Sequence, residues 1–360
     1  MAFDSQSPYD ALPLLPPAED VETRAVMRQC LKATRALAEL KGSGGLIPDQ
    51  AILINAIPLQ EAKLSSEIEN IVTTQDELFT AALDEARVTD PQTKEVLRYR
   101  TALRYGFESL SKKPFSMGLI REVCSQLMAT KSDFRGAHER VAIGNPQTRR
   151  ISYTPPSGGT VLRKKIDNLE HYLLSDNGPD PLIRMAVAHY QFEAIHPFND
   201  GNGRSGRIMN ILYLLHAGLL NIPVLYLSRF IIQNKMDYYR LLRRVTEVGA
   251  WESWVLYMLR GVEETANWTT SRIVSIRDLF EQTVDLCRSQ LPNIYSKELI
   301  EIIFKQPYCK ISFLVDAGIA KRQTASVYLQ SLEKVGVLQG EKRGRETVYK
   351  HPALLAVLTA

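Results

Sequence analysis

Cysteine is scarce in this sequence, and long apolar runs are missing. The four cysteines, at positions 30, 124, 287 and 309, are scattered without a paired motif, which argues against a disulfide framework and a zinc finger. No stretch approaches the roughly 18 uninterrupted apolar residues of a membrane span. The first residues lack a basic segment followed by an apolar one, so no secretory signal is expected. We therefore expect a cytoplasmic protein with no membrane partner.

A mainly α fold is expected from the spacing of apolar residues over most of the chain. From Asp20 to Leu40, apolar side chains recur at alternating spacings of four and three, the period of a helix. The exception is Arg135–Pro156, where apolar residues alternate with others around Asn145-Pro146, which predicts a β-hairpin. Further helices are predicted at Pro48–Ala56, Thr93–Leu110, Ser116–Met128, Thr160–Ser175, Pro181–Ile195, Ile208–Leu220, Ser228–Asn234, Met236–Val248, Trp251–Trp268 and Ser271–Leu291.

Residues 196–207 are the most unusual stretch, with the sequence His-Pro-Phe-Asn-Asp-Gly-Asn-Gly-Arg-Ser-Gly-Arg. They are polar and glycine-rich, yet predicted buried helices lie directly before and after them. Such a loop lowers stability unless it binds something. The alternative to a binding loop is a tight structural loop whose arginines lie in solvent. That alternative does not explain why the stretch has this composition.

The chemistry of this stretch points to a bound nucleotide phosphate. A helix beginning near Gly203 would present its N-terminus to an anion. Arg204 and Arg207 lie on one face of its first turn, where cations oppose the helix dipole unless a polyanion compensates them. Asp200 offers a hard oxygen ligand for Mg²⁺. His196 is the nearby group that could exchange a proton near neutral pH.

The stretch resembles the motif of the Fic-domain protein adenylyltransferase family, His-x-Phe-x-acid-Gly-Asn-Gly-Arg-x-x-Arg, and every specified position matches. The resemblance implies transfer of AMP from ATP, with Mg²⁺, to a Ser, Thr or Tyr hydroxyl of a protein, including the enzyme itself. The roles that it implies are general base for His196, loop anchor for Phe198, metal ligand for Asp200, phosphate cradle for Gly201, Asn202 and Gly203, diphosphate binding for Arg204, γ-phosphate binding for Arg207 and adenine contact for Tyr239.

An upstream segment, Glu61–Asn70, has two interpretations that do not exclude each other. Ser66 and Glu69 have the spacing of a capping box, which would begin a helix. Some Fic proteins carry an inhibitory helix with the pattern Ser/Thr-x-x-x-Glu-Gly/Asn, and Ser65, Glu69 and Asn70 fit that pattern here. The resemblance then implies that Glu69 pairs with Arg207 and keeps this arginine from the γ-phosphate.

The predicted hairpin also has two interpretations. It is either a plain surface hairpin or, by the family resemblance, the flap that docks the target protein near residues 141–153 by β-strand pairing.

The C-terminal segment predicts three helices, Lys297–Lys305, Ile311–Ala317 and Gln323–Lys334, followed by a basic turn at Gly340–Arg345. This order resembles a winged helix-turn-helix. Between positions 297 and 350 there are ten Lys or Arg residues and six acids, an excess of four that equals the net charge of the whole chain. Residues 321–345 could therefore bind DNA, with Lys321 and Arg322 at the start of the third helix and Lys342, Arg343 and Arg345 on phosphates, or the module could contact protein.

Four regions are expected: an N-terminal helical region at 1–110 with the inhibitory helix at about 62–72, a Fic core at 111–275, a connecting helix at 276–292 and a winged helix-turn-helix domain at 293–360. Three rival functions stay open: transfer of another phosphate-linked group, removal of AMP with Glu69 positioning water, and DNA-binding regulation with a vestigial Fic site. The resemblance also suggests a homodimer.

Overall fold

The computed structural model describes residues 3–47, 50–85, 88–145, 148, 150–343 and 346–359. The predicted mainly α fold is confirmed, with two small sheets. The helices are α1 Arg24–Ser43, a 3₁₀ turn Gly44–Leu46, α2 Ala51–Ile68, α3 Gln75–Ala81, α4 Pro91–Leu110, α5 Met117–Met128, α6 Thr160–Leu174, α7 Pro181–Ile195, α8 Asn202–His216, α9 Leu227–Gln233, α10 Lys235–Val248, α11 Trp251–Gln290, α12 Lys297–Phe304, α13 Ile311–Asp316, α14 Arg322–Lys334 and α15 Pro352–Thr359. The strands are β1 Ile143–Asn145, β2 Arg150–Tyr153, β3 Tyr308–Lys310, β4 Gln339–Arg343 and β5 Glu346–Lys350.

The centre of the core is the pair α7 and α8, which pack side by side. Helix α7 has its predicted bounds because Asp180 caps the Leu182 N–H and Pro181 occupies the first turn. Nearly every side chain of both helices is buried, including those of the first turn of α8. The polar motif between them is therefore held by a rigid apolar support.

Helix α2 differs from its prediction in length. It runs through Pro58, whereas the sequence suggested a helix that ends before this proline. An interior proline costs about 3 kcal/mol, but α2 buries side chains around most of its circumference against α4 and α9. The capping-box prediction for Ser66 and Glu69 was wrong, because these residues lie at the end of α2; a capping box is present instead at Thr74, before α3.

Helix α11 replaces two predicted helices with one of 40 residues. At the rise of an α-helix it spans about 60 Å. No glycine or proline breaks the junction at residues 268–271, and the buried stripe continues through Thr269, Ile273 and Ile276. Helix α1 packs along α11, and α12 and α15 contact it, so α11 connects the core with the C-terminal domain.

The predicted hairpin is present as antiparallel β1 and β2. Pro146, expected at its turn, lies outside the described residues. The N-terminal arm packs against this hairpin: Tyr9 donates its N–H to the Thr154 carbonyl at 3.0 Å, and the rings of Phe3 and Tyr9 contact Tyr153.

The C-terminal domain contains the three predicted helices, as α12, α13 and α14. The predicted basic turn was partly wrong, because its residues 340–343 belong to strand β4, which pairs with β5. A third strand, β3, and the final helix α15 were missed; the sheet order is β3-β5-β4 with antiparallel pairs. Arg343, which the DNA-binding interpretation placed on phosphates, pairs with Asp76 of α3 at 2.8 Å, and Arg345 lies outside the described residues. Among the described helices, none is long and apolar enough to cross a membrane.

Candidate active site

The motif forms a short loop between two left-handed residues. His196 ends α7 with φ of 51°, and Gly201 precedes α8 with φ of 77°. Glycine adopts this conformation at no steric cost, whereas a histidine there is strained unless its surroundings hold it. No side chain caps the start of α8, so its first N–H groups are left for another acceptor.

Asn202 and Phe198 hold the loop together. The Asn202 side chain accepts the Phe198 N–H through Oδ1 and donates through Nδ2 to the Phe198 carbonyl, both at 2.8 Å. The Phe198 ring is buried and stacks on Phe134 with 5.5 Å between centroids. The side-chain amide of Asn202 is therefore used inside the loop, on the backbone of Phe198.

Arg135 is a second support that the sequence analysis missed. Its buried guanidinium donates from Nε to the His196 carbonyl at 2.8 Å and from Nη2 to the carbonyls of Pro156 and Ile195 at 2.9 and 3.1 Å. Arg135 and Pro156 are the two ends of the predicted hairpin segment, so this side chain joins both ends to His196 of the motif. A lone arginine in an irregular segment carries no sequence signal for such a contact.

His196 is placed to accept a proton. Burial, with a contribution from the Arg135 charge, lowers the pKa of His196 to about 4, so its imidazole is neutral near pH 7. Its Nδ1 is buried and has no hydrogen-bond partner among the described residues.

Arg207 and the predicted inhibitory residues come together. The guanidinium, whose side chain is 1% exposed, donates from Nε to Ser65 Oγ at 2.7 Å. From Nη2 it donates to the Ser65 carbonyl at 2.9 Å and to Glu69 Oε1 at 2.8 Å. Burial alone would lower the pKa of Arg207, but the Glu69 charge, together with Tyr238, Tyr99 and Glu193, outweighs burial and raises this pKa.

Asn70 shows why this pattern ends in Gly or Asn. It follows the end of α2 with φ of 64°, a conformation that only Gly and, less readily, Asn adopt routinely. Its N–H bonds to the Glu67 carbonyl, and the Ile71 N–H bonds to the Ser66 carbonyl, both at 3.0 Å. This is a Schellman motif, and it fixes the position of Glu69.

The Glu69 carboxylate lies where an anion would meet α8. A Cβ atom on Gly203 would collide with Glu69 Oε1, so the carboxylate touches the backbone of the first turn of α8. Burial alone would raise the pKa of Glu69, but the charge and hydrogen bond of Arg207 lower it below its usual value. The carboxylate is therefore ionised and acts as an anion at this helix N-terminus.

Arg204 is paired as well, with a residue that the sequence analysis did not single out. Its Nη1 donates to Oε1 of Glu95, on α4, at 2.6 Å. The Arg204 side chain is 3% exposed, and its Nε is buried without a partner in the described parts of the chain.

The two tyrosines of α10 have different surroundings. Tyr238 is buried, and its hydroxyl lies 2.9 Å from Nε2 of His189, whose ring stacks on Trp254. Tyr239 is 46% exposed, with its ring centroid 5.2 Å from that of Tyr238. Of this pair, Tyr239 is the ring that a ligand can reach.

Asp200 is the residue that could hold a metal. It is exposed, and its Oδ1 accepts the Gly201 N–H at 2.6 Å. Over the described ranges, no group of three or more His, Cys, Asp or Glu side chains could hold a metal ion. One exposed carboxylate beside an anion site fits Mg²⁺ that takes its other ligands from phosphates and water.

Comparison with known proteins gives consecutive matches along the chain. Residues 27–108 match the Fic/DOC family N-terminal region, residues 114–214 the Fic/DOC family, and residues 279–354 the C-terminal domain of SoFic-like protein adenylyltransferases. Protein adenylyltransferase Fic of Drosophila grimshawi is 32% identical over 204 residues, which cover 51% of this chain and 41% of that protein. The protein of the same name from Nematostella vectensis is 27% identical over 197 residues, covering 52% and 43%. The chain thus spans less than half the length of these curated relatives.

Solved structures share the fold. A Fic family protein from Desulfovibrio desulfuricans G20 has a TM-score of 0.59 at 20% identity, covering 94% of this chain and 98% of that one. Fic-1 of Caenorhabditis elegans has a TM-score of 0.53 at 20% identity, covering 71% and 74%. The three consecutive sequence matches show that the chain contains a Fic/DOC N-terminal region, a Fic/DOC domain that includes the complete motif, and a SoFic-like C-terminal domain.

Proposed function

We propose that the protein is a protein adenylyltransferase, which transfers AMP from ATP to a Ser, Thr or Tyr hydroxyl of a protein, including itself. The observation that carries this proposal is the Glu69 carboxylate, which Arg207 holds against the backbone of Gly203. A carboxylate there marks a place suited to anionic oxygens, and neutral His196 lies at the end of the preceding helix. The relatives named above carry the name protein adenylyltransferase Fic.

In the proposed reaction, the hydroxyl oxygen of the target attacks the α-phosphorus of ATP. The bond from this phosphorus to the oxygen that bridges to the β-phosphate breaks, and diphosphate leaves with the electron pair. His196 takes the hydroxyl proton, for which its imidazole must be neutral. The products are a target with AMP in phosphodiester linkage, diphosphate and a proton that His196 releases to solvent.

Phosphate binding is assigned to the start of α8. The backbone N–H groups of Asn202 and Gly203 would cradle the α- and β-phosphates beside Gly201, whose own N–H bonds to Asp200. Arg204 would offset the charge of the departing diphosphate. Arg207 would bind the γ-phosphate and so align the bond that breaks.

Two further roles are proposed for residues around this cradle. When bound, Mg²⁺ held by Asp200 would neutralise charge on the phosphates. The exposed ring of Tyr239 would contact adenine.

The resting state is proposed to be autoinhibited. Arg207 donates to Ser65 and Glu69, and the Glu69 carboxylate occupies the start of α8, so it must give way to the γ-phosphate before ATP binds productively. Breaking a partly buried, charge-assisted contact of this kind is costly unless the incoming phosphate replaces it. Activity would thus depend on whether α2 withdraws Glu69.

The β1–β2 hairpin is proposed to align the target segment. The N-terminal arm lies along β2, where the Gln6 side chain donates to the Ile151 carbonyl at 3.3 Å and Thr154 donates to the Ser5 carbonyl at 2.7 Å. We therefore place the target strand on the β1 side, where it would pair by main-chain hydrogen bonds.

The test is incubation with Mg²⁺ and ATP labelled at the α-phosphate. The expected result is weak labelling of protein by the wild type, strong labelling by Glu69→Gly and none by Glu69→Gly with His196→Ala, since loss of a general base costs about 10²–10⁴ in rate. ATP labelled at the γ-phosphate is the control and should leave protein unlabelled.

Label from the γ-phosphate alone would replace the proposal with phosphoryl transfer. Equal labelling by the wild type and Glu69→Gly would refute the inhibitory role of Glu69.

A further inference from the structure

We propose that Glu95 is a positioning residue, which orients the guanidinium of Arg204 for the diphosphate part of the nucleotide. This inference deepens the proposed function and rests on it, because Arg204 receives its role from that proposal. The observation behind it is the contact of Arg204 Nη1 with Glu95 Oε1 at 2.6 Å, in the first turn of the helix that faces the phosphates.

The two motif arginines are engaged in different ways, and this decides what each carboxylate does. Glu69, which Arg207 holds through Nη2, lies against the backbone of Gly203, so a phosphate at the start of α8 must displace this carboxylate. Arg204 gives Glu95 one N–H of Nη1, while its Nε is buried without a partner among the described residues. A guanidinium has five N–H donors, so phosphate oxygens and Glu95 can share Arg204. Glu95 therefore holds Arg204 in place and does not compete with the ligand.

The position of Glu95 is fixed by the packing of its helix. Asp90 caps α4, accepting the Thr93 N–H at 2.7 Å. Three turns after Glu95, Gly106 lets α4 approach α8 closely, since a Cβ atom there would lie 2.6 Å from Leu212 Cδ1. The Glu95 side chain, 31% exposed, reaches the nearly buried Arg204 from this rigid support.

If Glu95 orients Arg204, the affinity for ADP depends on Glu95, whereas the affinity for AMP does not. Without the carboxylate, Arg204 keeps its charge but loses the bond that fixes the plane of its guanidinium. A bidentate contact with phosphate requires that plane to be set. AMP lacks the β-phosphate that Arg204 is proposed to contact, so its affinity should not change.

The experiment measures ADP and AMP affinities by titration calorimetry at fixed Mg²⁺, in full-length Glu69→Gly so that the cradle is open. Adding Glu95→Ala should weaken ADP binding roughly tenfold, as expected for loss of one charge-assisted contact, and leave AMP binding unchanged. Glu95→Gln, which keeps an acceptor oxygen without the charge, should give a smaller loss of ADP binding. The matched control is Glu108→Gln, a carboxylate on the same helix that pairs with Arg104 on an exposed surface.

Equal losses for ADP and AMP would show a general structural defect and overturn the proposal. Unchanged ADP binding would overturn it too, and tighter ADP binding would make Glu95 a competitor of the phosphates. None of these readouts needs AMP transfer, so a chain that binds ADP as expected but labels no protein would contradict the proposed function alone.

Discussion

Two arginines one helical turn apart, Arg204 and Arg207, are each paired with a carboxylate from the N-terminal region. Cations in the first turn of α8 oppose its dipole, and burial makes an unpaired charge costlier still. The carboxylates of Glu95 and Glu69 thus stabilise a cradle that would otherwise carry excess positive charge before nucleotide binds. In the proposed mechanism, relief of inhibition exchanges the Glu69 carboxylate for the γ-phosphate at Arg207.

The pH dependence of transfer follows from the burial of His196. A base works only when unprotonated, that is, above its pKa, and burial lowers the pKa of His196 from 6.5 to about 4. In Glu69→Gly, kcat/KM for ATP at saturating Mg²⁺ should therefore stay level from about pH 7.5 down to about 5.5 and fall only nearer pH 4. A midpoint close to 6.5 would show instead that the imidazole is solvated in the working enzyme.

At the scale of elements, the end of α2 controls where Glu69 lies. Glu69 is the C-cap of α2. The next residue, Asn70, adopts the left-handed conformation that ends the helix in a Schellman motif. Two turns before Glu69, α2 is also held by Glu61, whose buried carboxylate accepts hydrogen bonds from Ser228 and Tyr99. The carboxylate proposed to be inhibitory is therefore presented by a helix that is held at Glu61 and at its end.

Substitution of Asn70 should loosen this presentation. Asn70→Val forces a β-branched residue into the left-handed region, at a cost of about 1–2 kcal/mol, so the end of α2 should fray and AMP transfer should rise. Asn70→Gly, which adopts φ of 64° freely, should leave transfer at the wild-type rate. The readout is the initial rate of label incorporation for the two variants.

The Glu69→Gly background is the control for this effect. There Asn70→Val should add nothing, because the carboxylate that it releases is already gone. A rise of the same size in that background would place the effect of Asn70 elsewhere.

Local signals in the sequence predicted the parts of the site that lie close together along the chain. The motif and its helix α7 follow from spacing and composition within about 12 residues, whereas the Ser65–Glu69 segment was singled out by its resemblance to the inhibitory helix of some Fic proteins. Arg135 and Glu95 could not be predicted this way, because their contacts with His196 and Arg204 join residues 61 and 109 positions apart. The passage of α2 through Pro58 likewise depends on tertiary packing that outweighs a local breaker.

At the scale of the whole molecule, the C-terminal domain contacts α3, the helix that follows the proposed inhibitory segment in the chain. Asp76 of α3 accepts hydrogen bonds from Tyr308 at 2.6 Å, Arg343 at 2.8 Å and Lys350 at 3.0 Å. Burial alone would raise the pKa of Asp76, but these three donors lower it. Beside it, Phe79 stacks on Tyr308. Basic residues that the sequence assigned to a nucleic-acid surface are thus used, in part, within the chain.

This contact continues to the inhibitory helix. The amides of Gln75 and Gln60 exchange two hydrogen bonds, at 3.0 and 2.9 Å, which join α3 to α2. Helix α3 begins six residues after Glu69. A ligand or partner that displaced Arg343 and Lys350 from Asp76 would loosen α3 and, through it, the end of α2.

Asp76→Asn should therefore raise AMP transfer in the protein that retains Glu69, by about fivefold, the lower range of typical coupling between sites. The matched control is Asp278→Asn, which removes a carboxylate of similar exposure, 47% against 50%, from an ion pair with Arg277 on α11. In the Glu69→Gly background, Asp76→Asn should have no effect, because the contact acts only by holding the inhibitory carboxylate in place. Equal increases in both backgrounds would mean that the C-terminal domain acts on the catalytic step itself, and no increase in either would mean that its docking supports the fold without restraining activity.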